Sequence, residues 1–122
     1  MPAQDIILHL NAQLAVVITY QRETILPKAD TFACLSKARN DIPPGPGALW
    51  PIPGPQAYSS GDVFLALQPN DRPVMLWKQW NATVRALQWF GEVYEPLAMV
   101  FSVMVDSSGT VGSGSLMLAP VP

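Results

Sequence analysis

The sequence predicts a mainly β domain: a small sandwich or barrel of five to six strands, with one or two short helices and a long Pro/Gly-rich loop. Three observations predict it. The even positions Ile6, Leu8, Leu10, Ala12, Leu14, Val16, Ile18 and Tyr20 are all apolar, while five of the eight odd positions from Ile7 to Gln21 are polar. That is the period of a strand with one buried face. Near the other end, two apolar runs flank Asp106-Ser107-Ser108-Gly109, a composition that suits a hairpin turn. Between them, residues 42–61 hold six prolines, four glycines and no charged residue. Proline fixes φ and removes a backbone donor, so that stretch is expected to be neither a helix nor a central strand.

In chain order, residues 6–20 read as a strand. Ile7, Leu10, Leu14 and Val17 also share a helical stripe, but the β-branched run at 16–19 favours strand. Fifteen residues would span about 50 Å unbroken, so a bend is expected at Asn11 to Gln13. Residues 21–28 read as a connection. Asp30 has the character of an N-cap for a short helix over 31–39, with Phe32, Leu35 and Ala38 on one stripe. Lys37 and Arg39 suit its C-terminus, and Asn40 closes it. Residues 62–68 and 74–80 read as a strand pair around the turn-forming Pro69-Asn70-Asp71-Arg72-Pro73. Asn81 can cap a short helix over 82–90 ended by Gly91, with strand as the alternative because of Thr83 and Val84. Residues 97–105 and 110–118 complete the sheet. Gly112 and Gly114 mark a bulge or a close backbone contact.

The whole chain, 1–122, reads as one domain, with 42–61 an ordered arm or loop within it. Flexible linkers are polar, whereas this stretch carries Leu49, Trp50, Ile52 and Tyr58. Those four are expected to dock on the body of the domain or on a neighbouring subunit. Trp77 and Trp80, three apart on a strand, would face opposite sides. One of the two is expected in the core and the other exposed, and exposed tryptophan is a common interface anchor, so Trp80 joins the interface set. The expected interface set is Leu49, Trp50, Ile52, Tyr58 and Trp80.

Charge narrows the function classes. Only 13% of residues are charged, against about 25% in ordinary soluble domains. The net charge is −2, and the basic residues are scattered, so no patch for nucleic-acid phosphates is expected. Cys34 is the single cysteine, which excludes an intrachain disulfide and reads as a small buried apolar group. The start of the chain lacks a positively charged n-region, so synthesis in the cytoplasm without a signal peptide is expected, and no membrane partner. His9 is the only histidine, and no partner at a suitable spacing orients it as a base. Glu92 and Glu95 could meet at one loop tip, where a solvated loop is the simpler reading. No metal or cofactor set is visible, and the glycines at 45, 47 and 54 sit among prolines rather than ahead of a helix, as a phosphate loop requires.

The physical character suggests a non-enzymatic structural subunit of a large homo-oligomeric assembly. A virion fits best, as a phage capsid, decoration, neck or tail component, with copies of itself and other subunits as partners. The alternative is a small β domain that binds an apolar or carbohydrate ligand through exposed tryptophans.

Overall fold

The alternation at the start of the chain is realised as a hairpin rather than as one bent strand. In the computed structural model, which describes residues 4–106 and 109–118, β1 (Gln4–His9) and β2 (Leu14–Ile25) pair antiparallel. The expected bend is a reversal. Asn11 Oδ1 accepts the backbone N–H of Gln13 at 2.8 Å and of Leu14 at 2.9 Å, a local bond that short polar side chains offer to turns. Even residues of β1 pair with even residues of β2, as in Ile6 with Ile18, so both strands keep their apolar residues on one face.

The other elements are α1 (Lys28–Asn40), a 3₁₀ turn (Gly45–Leu49), β3 (Gln56–Ser60), β4 (Val63–Pro69), α2 (Trp77–Val93), β5 (Leu97–Val105) and β6 (Gly109–Leu118). The six strands make one antiparallel sheet in the order β1-β2-β5-β6-β4-β3. The fold is mainly β, as expected, but the sheet is open, with β1 and β3 as its edges. It does not close into a barrel, and among the described residues it faces no second sheet. Both helices lie against one face and bury the core that a second sheet would have covered, so one two-layer core suffices.

Three expectations of single elements are corrected. Residues 74–80 are not a strand, because α2 begins at Trp77, four residues ahead of the expected Asn81 cap. At helical spacing Trp77, Trp80, Val84 and Leu87 share one buried stripe, and i, i+3, i+4 burial outweighs the β propensity of Val74 and Trp77. Gln79 turns back to accept the Leu76 N–H at 2.8 Å. In α1, Asp30 is not the N-cap. The helix starts at Lys28 behind Pro27, whose carbonyl accepts both the N–H and the hydroxyl of Thr31. Asp30 sits in the first turn and accepts the Ser60 hydroxyl at 3.2 Å. Residues 21–25 continue β2 rather than forming a connection.

Residues 42–61 dock on the body of the domain. The backbone of Trp50 and Ile52 is bonded to the approach of α2 (Trp77 N–H to Trp50 O at 3.1 Å, Ile52 N–H to Met75 O at 2.9 Å). Its last part is the edge strand β3. Gly61 then reverses the chain into β4 with φ of 55°, and a Cβ there would press into the Asp30 carboxylate. The turn expected at 106–109 includes Ser107 and Ser108, which lie outside the described residues.

The core is a continuous cluster between helices and sheet. Trp80 stacks on Phe101 with ring centroids 6.1 Å apart and planes 17° from parallel. Phe101 pairs across strands with Gly114, and the ring occupies the space a side chain would need. A Cβ on Gly114 would lie 2.5 Å from Phe101 Cζ and clash with the Ala66 carbonyl oxygen. A Cβ on Gly112 would meet Met75 Sδ at 2.6 Å. The register shifts between Val103 and Met104, so the two glycines mark both a bulge and a close contact. Gly114→Ala is expected to destabilise the fold by about 1–3 kcal/mol through overpacking. Gly54→Ala, where a Cβ meets nothing within 4 Å, should stay within about 0.5 kcal/mol of wild type. Urea unfolding of the two variants measures the contrast.

Candidate functional site: the uncovered face of the sheet

In a sheet with helices on one side, strand alternation sends every second residue to the other side. Here that side has no covering layer among the described residues. Two rows run across it. One is Ile7, Val17, Ser102, Ser113 and Gln68, and the other is Asp5, Thr19, Val100, Ser115, Ala66 and Ala57, each residue facing the next across paired strands. Asp5 at the β1 edge is the one ionisable group in the two rows, and its carboxylate accepts the Thr19 hydroxyl at 2.7 Å. A hollow of about 560 Å³ lies over the middle, where Ser102, Ser113 and Ser115 meet Val17, Val100 and Ala66. Val100, Met104 and Phe64 are exposed there.

This surface was only partly visible in the sequence. The odd positions of residues 7–21 read as the polar side of the first strand. Ile7, Ala15 and Val17 break that polarity and were the signal that this face is not an ordinary solvated one. Ser102, Ser113 and Ser115 carried no signal of their own, since only strand order brings β5 and β6 to the centre.

The expected interface residues divide. Leu49 and Trp50 are 60% and 61% exposed, on a 3₁₀ turn held from Gly47 to Trp50 by a backbone bond of 3.1 Å. Tyr58 is half-buried. Ile52 and Trp80 belong to the core of the chain itself, so neither is a surface anchor. The reason is the helix. Trp77 and Trp80 lie on the same side of α2 and both are buried, whereas Trp89, on the outer side, is exposed. Trp89 meets Tyr94 edge-on at 6.1 Å.

Three other features mark what the arrangement can do chemically. His9 is exposed on the β1 edge, away from Cys34. Burial pushes the Cys34 thiol up, more than Lys37 nearby lowers it, and its S–H donates to the Val63 carbonyl at 3.4 Å. That is the setting of an inert thiol rather than a nucleophile. Among the described residues, no group of three or more His, Cys, Asp or Glu side chains is placed to hold a metal ion. Glu92 accepts from Gln88 Nε2 at 3.0 Å on the surface of α2.

Tyr58 is the most perturbed titratable group. Burial first, and then the Asp41 carboxylate that accepts its hydroxyl at 2.7 Å, hold its proton well above the ordinary value of 10.0. The Trp80 indole N–H, buried without a bonded acceptor, offsets part of the effect. The folded state therefore binds this proton more tightly than the unfolded chain does. Its stabilising effect is complete below pH 10.0 and is lost as pH rises toward the folded-state value. Unfolding free energy should fall from pH 10 to about 12, and Tyr58→Phe should flatten that fall. Denaturant titrations across this alkaline range measure the difference.

No helix is long and apolar enough to cross a membrane among the described residues. No protein-family model, curated protein or solved structure matches the chain significantly.

Proposed function

We propose that the protein is a non-enzymatic structural subunit that associates with copies of itself through the uncovered face of its sheet. The observation that carries this reading is the composition of that face: its two central rows hold one ionisable side chain between them. A solvated sheet face ordinarily alternates polar and charged groups outward. Six strands at about 4.8 Å, over roughly six residues each, give a footprint of about 600 Å². That approaches the ~800 Å² per partner of a standard interface. The low charge of the whole chain and the exposed Leu49-Trp50 knob support the same reading. Among assemblies, a virion component of the capsid, decoration, neck or tail kind suits a small, sparsely charged β subunit with several sticky surfaces.

A second reading, binding of an apolar or carbohydrate ligand, is favoured by one observation. A hollow of about 450 Å³ is lined by Tyr20, Phe90, Tyr94 and Leu97, with Arg22 and Glu95 at its margin. Aromatic faces beside polar groups suit a sugar ring. Trp89 lies against Tyr94, so quenching of its fluorescence by added sugars would support this reading over the first.

Light scattering on the purified chain is expected to give a mass above 13.3 kDa at micromolar concentration. Val100→Glu, a charge in the centre of the face, should lower that mass without lowering the melting temperature. A stable wild-type monomer at hundreds of micromolar would overturn the assembly reading.

A further inference from the structure

We propose that the chain forms a two-fold dimer by pairing β1 with β1 of a second copy, so that one sheet runs through both. This inference rests on the self-association reading above and names a further surface for it.

The two edges of the sheet differ. At β3 the Lys37 ammonium donates to the Ser59 carbonyl at 2.6 Å, and α1 packs along the strand. A lysine and a covering helix are the usual ways in which proteins blunt an edge. At β1 the side chains of Asp5, Ile7 and His9 are all exposed, Ile7 by 55%.

The hydrogen-bond phase of β1 follows from its turn. Leu10 donates to the Leu14 carbonyl at 2.9 Å, and in an antiparallel ladder bonded and non-bonded pairs alternate. The even residues of β1 therefore spend their N–H and C=O groups on β2. Gln13 fits this phase from the other side, since its carbonyl accepts from Asp106 N–H, towards β5. The odd residues Asp5, Ile7 and His9 must direct their backbone donors and acceptors outward, away from β2.

A second copy related by a two-fold axis through Ile7 meets these groups in phase. Ile7 then faces Ile7, and Asp5 faces His9 twice. Three facing pairs, each exchanging two bonds, use all the outward N–H and C=O groups of these residues. All three pairs put their side chains on the uncovered face, where a carboxylate acceptor meets an imidazole donor at each end and two isoleucines meet in the middle. Ile6 and Leu8 face each other on the covered side, beside a hollow of about 510 Å³ between β1 and α2 that Ala82, Arg85 and Trp89 line. The strand is thus complementary to itself in side-chain hydrogen bonding, apolar contact and backbone bonding at one register.

Two substitutions test the pairing, read by sedimentation equilibrium and by thermal melting of the full chain. Ile7→Pro removes one outward N–H and no bond to β2, a position that an edge strand accommodates. It should weaken the dimer about tenfold or more with little change in melting temperature. Asp5→Arg should weaken it through Arg against His9, and adding His9→Glu should restore it. Within one chain these two positions are roughly 13 Å apart along the strand, so rescue reports contact between copies. Dimerisation that is insensitive to Ile7→Pro but abolished by Val100→Glu would overturn the edge pairing and leave the uncovered face as the interface. Weakening by Ile7→Pro without rescue in the double variant would overturn the register. A monomeric wild type would overturn both readings.

Discussion

Trp80 lying flat on Phe101, with Gly114 beneath the ring, is the contact on which the rest of the structure depends. An indole and a phenyl stacked at 6.1 Å bury two of the largest side chains in the protein at one point. The sheet can accept them there only because β6 carries no side chain opposite Phe101. Two residues earlier, Gly112 makes the same allowance for Met75. The glycines turn the covered face of β6 into a trough, and α2 settles close to it. Tyr20 on Phe90, 5.3 Å apart, anchors the far end of the same helix against β2.

This seating explains why a single sheet is enough. Large rings from α2, with Cys34, Leu35 and Ala38 from α1, pack against one face and form its core. Among the described residues no layer covers the other face, yet it is not dressed as a solvent face. Small hydroxyl residues and aliphatics alternate across it, and charge is confined to its margin. Proteins that stay alone in water rarely leave such a surface bare. The edges carry the same contrast, one blunted by Lys37 and α1 and the other presenting exposed side chains and outward backbone groups. Leu49 and Trp50 are exposed as well, on a stretch whose prolines restrict the backbone.

Much of the fold was legible in the residues themselves. The even-position rule over residues 6–20 identified the buried face of two strands, although it spoke of one. The runs at 97–105 and 110–118 and the glycines at 112 and 114 declared a hairpin with a close contact. The helix of residues 31–39 was visible except for its first turn, because Pro27 supplies the start without any side-chain cap. The failure lay at 74–80, where β-favouring residues hid a helical stripe that reads from Trp77 through Leu87. That error carried Trp80 from the core to the surface and with it one of the five interface residues. Of the uncovered face, only the odd-position apolar residues of the first strand could be seen in advance.

The sequence by itself determined which residues could be buried and in what period, because side-chain alternation is a local property of the backbone. It also determined the scarcity of charge and the stiffness of the proline-rich stretch, which need no knowledge of neighbours. Only the tertiary structure decided the strand order, and hence that Ser102, Ser113 and Ser115 lie together at the centre of a face that no described residues cover. It alone decided that the proline-rich stretch docks on the approach to α2 and that α1 and Lys37 lie along β3 rather than β1. These depend on pairings between residues far apart in the chain, whose energies are set by packing against partners that no local pattern names.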